Sequence, residues 1–210
     1  METLNGGGNN PVKLGILGGT FDPPHNGHLQ IGREALRALG LDRVVFMVAG
    51  SPQLKRNPVI TPAEQRLAMT ELAVNEEKYF EVSPLEVRRK GATYTAQTLA
   101  EIDQLGGGKD KLFFIIGMDN LSNLRSWYKP EEIIRKSTLV VVPRPDSAEV
   151  DIAQLEKDIP GITRRLKILE GPLINISASD IRRKASKGED ITCLVPHKVA
   201  EYIKQNQLYV

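Results

Sequence analysis

The sequence predicts an α/β fold: a doubly wound, Rossmann-like parallel sheet with helices on both faces. Short apolar runs rich in β-branched residues recur along the 210-residue chain, and amphipathic helical patterns fall between most of them. Strands that alternate with helices favour a parallel sheet with right-handed crossovers. In such a sheet ligands bind beyond the carboxyl ends of the strands, near the switch in strand order.

The predicted elements follow in order along the chain. Strands are predicted at residues 13–17, 43–48, 79–82, 111–116, 138–142 and 166–169. Helices are predicted from near Pro24 to Leu39, from Thr61 onward, and at residues 95–105, 130–136, 177–187 and 196–206. Gly40 stands where the first helix should stop. The run Thr61-Pro62-Ala63-Glu64 indicates a helix start with Thr61 as N-cap and Pro62 as the first helical residue. Residues 51–59 and 106–108 are predicted loops.

Length and composition bound the class of protein. We expect residues 1–11 to be a flexible tail and residues 12–210 to form a single domain. No apolar run approaches the roughly 20 residues needed to cross a bilayer, and the N-terminus lacks the features of a secretory signal, so we expect a cytoplasmic location. The net charge of +2 is too small to favour a nucleic-acid surface. Cys193 is the single cysteine and is expected to be an inert, partly buried thiol.

The stretch GGTFDPPHNGHL at residues 18–29 lies on the turn between the first predicted strand and the first helix. A helix N-terminus offers unpaired N–H groups and a partial positive charge, and glycines let a phosphate approach the backbone. His25 and His28 are three residues apart, which places both rings on one face of a helix. The turn is therefore interpreted as a phosphate site. Asp22 is interpreted as a turn or capping residue, since Asp-Pro is a turn signal.

Other chemistries have less support. A metal pair at His25 and His28 lacks a His-Glu-x-x-His pattern, and the only other histidine, His197, is predicted to cap or pack a helix start, so no metal site is predicted. The sequence has no Gly-x-x-x-x-Gly-Lys-Ser/Thr loop and no Gly-x-Gly-x-x-Gly fingerprint. Neither P-loop hydrolysis nor Rossmann-type hydride transfer is therefore supported.

Residues 18–29 resemble the signature of the nucleotidyltransferases that carry a His-x-Gly-His motif, here His25-Asn26-Gly27-His28. Later segments narrow the resemblance to the bacterial nicotinate-nucleotide adenylyltransferases. These segments are TYTAQTL at 93–99, IGMDN at 116–120 with Leu124 and Trp127, VPRP at 142–145, ISASDIR at 176–182, and the ending from Val195 to Tyr209. The resemblance covers about residues 13 to 210, so that 12–210 is expected to be one nucleotidyltransferase domain.

The resemblance implies transfer of AMP from ATP to nicotinate mononucleotide, giving deamido-NAD and pyrophosphate in NAD biosynthesis. The implied catalytic residues are His25, His28 and Arg182, which would hydrogen-bond the ATP phosphates and the leaving pyrophosphate. The implied nucleotide and phosphate contacts are Gly18, Gly19, Thr20, Lys55, Gly117, Asp119 and Ser177, with Asp119 on a ribose hydroxyl.

The resemblance also implies an acceptor pocket. Trp127 would stack on the pyridine ring, while backbone N–H groups of Thr95 and Tyr128 would hold the nicotinate carboxylate. Mg²⁺ would arrive on ATP, since the sequence shows no cluster of carboxylates suited to an all-protein cage. The expected partners are ATP and nicotinate mononucleotide, with no nucleic acid and no membrane. Whether the protein also forms a homo-oligomer is left open by the sequence.

One segment departs from the family pattern. The family commonly has Val-Pro-Ala-Gly-x-Pro-Pro-His-Lys where this chain has MVAGSPQLK at residues 47–55, so that Val48, Gln53 and Leu54 replace two prolines and a histidine. Lys55 matches and is the predicted phosphate contact, with Arg56 as a substitute.

Two alternatives remain. Another nucleotidyltransferase of the same fold, such as phosphopantetheine adenylyltransferase, would keep residues 18–28 and Arg182 but has no use for the 93–95 and 127–128 constellation. A non-catalytic nucleotide-binding regulator would have no need of His25, His28 and Arg182, which are all present. A tRNA synthetase is excluded by length.

Overall fold

The computed structural model describes residues 10–50, 60–143, 150–169 and 176–210. Within these ranges six strands form one sheet in the order β3-β2-β1-β4-β5-β6, and every neighbouring pair is parallel. The strands are β1 (Lys13–Gly19), β2 (Arg43–Val48), β3 (Phe80–Ser83), β4 (Lys111–Gly117), β5 (Ser137–Val142) and β6 (Leu166–Ile168). The chain begins in the middle of the sheet, builds outward to β3, and then crosses to β4. This order confirms the doubly wound, Rossmann-like prediction.

Helices cover both faces of the sheet, as predicted. They are α1 (Asn26–Leu39), α2 (Ala63–Val74), α3 (Leu85–Arg88), α4 (Thr95–Leu105), α5 (Met118–Ser122), α6 (Pro130–Lys136), α7 (Ile152–Asp158), α8 (Ile162–Arg165), α9 (Ala178–Ser186) and α10 (His197–Gln205), and a 3-10 turn lies at Leu124–Ser126. None of the helices in the described ranges is long and apolar enough to cross a membrane.

Two hydrophobic cores lie on opposite faces of the sheet, because successive residues of a strand point to opposite sides. In β2, Val44, Phe46 and Val48 pack with α1, α2, α9 and α10. The residues between them, Val45 and Met47, pack with the helices from α4 to α8 on the other face. Burying each such side chain fully stabilises the fold by about 1.5–3 kcal/mol. The two cores fix the sheet, and the sheet fixes the strand ends at which the site is built.

The predicted strands and long helices agree with the structure to within two residues at each end. Gly40 ends α1 in the left-handed conformation, with φ of 58°, as predicted. The short helices α3, α7 and α8 were not predicted; α3 and α8 have four residues each, which is too few to show a helical period. The predicted loop at 51–59 and most of the predicted tail at 1–11 lie outside the described residues.

Two local predictions are wrong. Thr61 is not the N-cap of α2, which begins at Ala63 with Pro62 in the cap position; instead, the Thr61 N–H donates to the Asp22 carboxylate and the Thr61 carbonyl accepts from Arg66. These two hydrogen bonds therefore hold Thr61 outside the helix. Cys193 is exposed rather than partly buried, because Ile191 and Val195 on either side take the buried positions of this turn.

Candidate active site

A cavity of about 490 Å³ opens beyond the carboxyl ends of the central strands. Its wall includes Gly19 at the end of β1, Ala49 after β2, Gly117 at the end of β4 and Pro143 after β5. Strands β1 and β4 are neighbours at the point where the chain changes direction across the sheet. The cavity therefore lies where an open parallel sheet binds its ligands.

Most of the predicted site residues line this one cavity. They are His25, His28, Arg182, Gly18, Gly19, Thr20, Gly117, Ser177, Thr95, Trp127 and Tyr128. Asp119 is exposed in the first turn of α5 and is not among the residues that line the cavity, whereas its neighbour Asn120 is. Lys55 lies outside the described residues, as do Arg56, Gln53 and Leu54.

The two histidines are stacked. His25 is the N-cap of α1 with an extended backbone, so only His28 lies on the helix. The ring centroids are 3.7 Å apart with an angle of 25° between the planes. The backbone N–H of His25 donates to Nδ1 of His28 at 3.2 Å. Because a neutral imidazole carries one proton and Nδ1 accepts here, the proton of neutral His28 is on Nε2, which is then a hydrogen-bond donor.

Phe21 forms the floor beneath this pair. Its backbone adopts a φ of 50°, and its buried ring meets the His28 ring edge-on with centroids 4.9 Å apart. A Cβ atom on Gly19 would lie 2.8 to 3.0 Å from three carbons of the Phe21 ring. Gly19 is thus required by the close approach of the ring as well as by access of a ligand to the backbone.

The first turn of α9 forms the wall that carries the permanent positive charge. Ser177, Ala178 and Ser179 line the cavity, and Ser177 is the N-cap of this nine-residue helix. Arg182 donates from Nη1 to the carbonyl oxygen of Asp22 at 2.7 Å and from Nη2 to Ser179 Oγ at 3.2 Å. A guanidinium and a helix N-terminus together favour an anion.

Aromatic groups and a helix start also line the cavity, and they come from elements that pack on the face of the sheet opposite α1 and α9. Trp127 meets the Phe114 ring edge-on at 6.2 Å, and its buried Nε1 has no hydrogen-bond partner among the described residues. Tyr128 is 43% exposed and packs against Tyr94 with ring centroids 4.6 Å apart. Thr95 is the first residue of α4, so its backbone N–H has no acceptor within the helix.

Arg66 does not line the cavity but holds the backbone of Thr20 in its wall, and sequence reasoning missed it. It is 1% exposed and donates to three backbone carbonyls: Thr20 at 2.7 Å, Thr61 at 2.9 Å and Gly50 at 3.0 Å. Burial lowers the pKa of Arg66, and the nearby Asp22 charge opposes that shift. The sequence does contain a signal, because Arg66 shares the buried stripe of α2 with other buried residues at helical spacing: Met69, Thr70 and Ala73. A charged residue in such a stripe indicates a buried polar role.

Glu86 is the second missed residue, and no sequence signal marks it. It lines the cavity, is nearly buried, and accepts a hydrogen bond from Thr98 Oγ1 at 2.7 Å. The same Oγ1 accepts from Arg89 at 2.9 Å. Burial raises the pKa of Glu86, while the bond from Thr98 and the charge of Arg89 act in the opposite direction.

The described ranges contain no group of three or more His, Cys, Asp or Glu side chains that could hold a metal ion. His197 begins α10 on the surface, with Nδ1 3.7 Å from Glu201, and does not line the cavity. Its predicted packing role is therefore wrong, because the start of α10 presents this side chain to solvent.

Comparisons with known proteins agree with this geometry. The model of the cytidylyltransferase-like family matches residues 16–184. A probable nicotinate-nucleotide adenylyltransferase of Dehalococcoides mccartyi strain CBDB1 is 43% identical over 94% of this chain and 97% of its own length. A protein of the same description from Roseiflexus sp. strain RS-1 is 41% identical over 93% of this chain and 97% of its own length.

Solved structures share the fold. The Plasmodium falciparum nicotinic acid mononucleotide adenylyltransferase complexed with NaAD has a TM-score of 0.77 and 20% identity, and covers 94% of this chain and 97% of its own. The same enzyme complexed with APC has a TM-score of 0.76 and 19% identity with the same coverage. From the family model and the relatives above 40% identity, we conclude that the chain belongs to the cytidylyltransferase-like family and, within it, to the nicotinate-nucleotide adenylyltransferases.

Proposed function

We infer that this protein transfers AMP from ATP to nicotinate mononucleotide, giving deamido-NAD and pyrophosphate, a step of NAD biosynthesis. The observation that carries the inference is one cavity lined by two chemically different groups of residues. Stacked histidines and Arg182 suit phosphates, and Trp127 with the start of α4 suits an aromatic carboxylate. Relatives at 43% and 41% identity carry the same activity in their names.

The chemistry requires positioning more than it requires a base. The acceptor is a phosphate monoester, whose second ionisation lies near pH ~6, so it is largely dianionic at neutral pH. One of its oxygens attacks the α-phosphorus of ATP, the bond from that phosphorus to the bridging oxygen breaks, and pyrophosphate leaves with the electron pair. The protein has to bring two polyanions together and stabilise charge around the α-phosphorus.

We propose that His25, His28 and Arg182 supply this stabilisation. The stack and the backbone bond hold His28 with Nε2 as donor before the substrate arrives, and Arg182 brings a positive charge on a planar set of donors that suits phosphate. Gly18, Gly19, Thr20 and Ser177 would add backbone and hydroxyl contacts to the phosphates. Magnesium would enter as part of the substrate MgATP, since Mg²⁺ usually keeps water and phosphate ligands.

The remaining nucleotide contacts follow the family pattern. We propose that Lys55 meets a phosphate and that Gly117 and Asp119 meet the ribose of the adenylate. Gly117 lies at the end of β4 on the cavity wall. Asp119, two residues further on, would have to reach the ribose from the rim of the cavity.

Selectivity for nicotinate would come from the two N–H groups of Thr95 and Tyr128. A carboxylate satisfies both donors, whereas the amide of nicotinamide has one acceptor oxygen and would turn its NH₂ group, itself a donor, toward the second N–H and leave that N–H unpaired. Trp127 would supply the apolar face against which the pyridine ring stacks.

Release of pyrophosphate from MgATP tests the proposal when nicotinate mononucleotide, nicotinamide mononucleotide and phosphopantetheine are supplied separately. We expect strong preference for the nicotinate acceptor. Turnover with phosphopantetheine alone would preserve the phosphate chemistry but refute the acceptor pocket. If pyrophosphate is released with none of the three acceptors, the result would favour a non-catalytic nucleotide-binding protein.

A further inference from the structure

The Asp22 carboxylate joins three distant parts of the chain behind the phosphate turn. It is 4% exposed, and its two oxygens accept from different segments: Oδ1 from the Tyr209 hydroxyl at 2.7 Å, and Oδ2 from the Thr61 N–H at 3.3 Å. The backbone carbonyl of the same residue accepts from Arg182 at 2.7 Å. Asp22 is therefore the point at which the C-terminal segment and α9 are both tied to the turn that carries His25.

Tyr209 reaches this point from 187 residues away along the chain. It follows α10, adopts a left-handed backbone with φ of 68°, and packs against the same core as α1 and α2. It is not among the residues that line the cavity, so it does not contact a substrate there directly. Burial, and then the Asp22 charge, raise the pKa of Tyr209, so the phenol stays protonated and remains a donor at neutral pH.

The surroundings of Asp22 show why a dedicated donor matters. Arg66 and Arg182 are both close enough to act electrostatically on the Asp22–Tyr209 pair. A buried carboxylate that lost its hydroxyl partner would form another charge-assisted bond, because leaving a buried charge unsatisfied raises the free energy of the folded protein. Arg182 lies on the cavity wall and already donates to the Asp22 carbonyl, and a direct ion pair with the Asp22 side chain would neutralise the charge that the proposed reaction directs at pyrophosphate.

We propose that Tyr209 is a positioning residue for adenylyl transfer. Its hydroxyl holds the Asp22 carboxylate, so that Asp22 offers Arg182 its neutral carbonyl rather than its negative side chain. The guanidinium then keeps its place and its charge for the leaving group. This inference rests on the proposed function, because it assigns Tyr209 a part in the departure of pyrophosphate.

The test compares Tyr209→Phe with Tyr202→Phe. Both residues pack against the same core from the C-terminal part of the chain, and Tyr202 does not line the cavity, which makes it the matched control. We expect Tyr209→Phe to lower kcat about tenfold or more, the usual effect of losing a hydrogen bond to a charged group, with little change in the KM for nicotinate mononucleotide. Tyr202→Phe should match the wild-type protein. A kcat for Tyr209→Phe equal to that of the wild type would overturn the proposal.

Asp22→Asn separates positioning from a purely structural role. A neutral amide cannot capture Arg182 as an ion pair, so adding Asp22→Asn to Tyr209→Phe should raise kcat above that of Tyr209→Phe. A purely structural role predicts no recovery, because the two residues share one hydrogen bond that either single change already removes. A double variant no faster than Tyr209→Phe would therefore refute the positioning role.

The wild-type protein serves as the reference that keeps the two proposals apart. If it releases no pyrophosphate with nicotinate mononucleotide, the proposed function fails irrespective of Tyr209. The affinity of the wild-type and Tyr209→Phe proteins for magnesium pyrophosphate, measured by calorimetry, then tests the positioning role alone. Binding at least tenfold weaker in the variant supports it, and equal affinity contradicts it.

Discussion

The imidazole rings of His25 and His28 stack at a centroid distance of 3.7 Å, and the backbone N–H of His25 donates to His28 Nδ1. His25 is nearly buried and precedes α1, while His28 lies in its first turn. The ring of Phe21 closes the arrangement from the side of the core. The two imidazoles are thus fixed before a ligand binds, which is the condition under which a donor contributes most to catalysis.

Replacing His28 by Ala should lower the turnover of MgATP and nicotinate mononucleotide by two orders of magnitude or more. The change removes one preorganised donor, and losses of that size are typical for such groups. Pyrophosphate release gives the rate, and circular dichroism checks that the protein is folded.

His197→Ala is the matched control, because His197 is an exposed histidine at the start of another helix, away from the cavity. It should leave turnover unchanged. Turnover near the wild-type level in His28→Ala would eliminate the proposed role of His28.

The histidine pair also shows which features of the site can be predicted from the sequence and which cannot. The spacing of His25 and His28 predicts that they act together, and the glycines beside them predict an anion site. The sequence cannot predict the stack, because that depends on His25 leaving the helix and on the Phe21 ring beneath it. The fold was predictable because each strand and helix shows its own local period of apolar residues, and their alternation can be read directly from the sequence.

Residues that act through distant partners were the ones missed. Arg66 connects Thr20, Gly50 and Thr61, and Tyr209 connects to Asp22, so neither role can be inferred from neighbours in the sequence. Thr61 is the converse case, in which the local sequence predicts a role that the contacts in the fold override. Its local sequence favours an N-cap, but its contacts with Asp22 and Arg66 decide its place.

Gly19→Ala should reduce activity strongly, because the added Cβ would lie 2.8 Å from the ring of Phe21, which cannot yield without disturbing His28. Gly15→Ala is the matched control on the same strand. Its Cβ would come 2.7 Å from the end of the flexible Leu41 side chain, away from the cavity. We expect Gly15→Ala to lower the melting temperature while the folded protein keeps its kcat. Equal kcat values for both variants would show that the Phe21 contact does not position the turn.

Arg66→Met should destabilise the protein by about 3 kcal/mol or more, since it leaves three backbone carbonyls without their charged donor. Urea unfolding measures the loss as a lower midpoint at constant slope. Arg37→Met, at an exposed arginine of α1 paired with Glu34, is the control and should leave the midpoint unchanged. An unchanged midpoint for Arg66→Met would show that its three bonds add nothing to folding.

Glu86 should make stability depend on pH in a predictable direction. Its pKa is raised by burial, so the folded protein holds this proton more tightly than the unfolded chain. The stabilisation is complete below the ordinary glutamate pKa and is lost as the pH rises through the folded-state value. Glu86→Gln removes this dependence, so the melting temperature of the variant relative to the wild type should rise between about pH 4 and pH 7. A constant or falling difference would contradict the raised pKa.

Thr95→Pro tests a single backbone donor of the acceptor pocket. Thr95 is the first residue of α4, where proline is well tolerated, and Tyr94 before it is already extended, with φ of −123° and ψ of 130°, as a residue preceding proline requires. The substitution should therefore keep the helix and delete the N–H proposed to hold the nicotinate carboxylate. We expect kcat/KM for nicotinate mononucleotide to fall about 10- to 100-fold, the worth of a hydrogen bond to a charged group, and preference over nicotinamide mononucleotide to shrink. Thr95→Ala is the control, because it keeps the N–H and loses only the side chain, and it should retain the preference for nicotinate mononucleotide. If kcat/KM falls equally in both variants, the effect belongs to the side chain and not to the N–H.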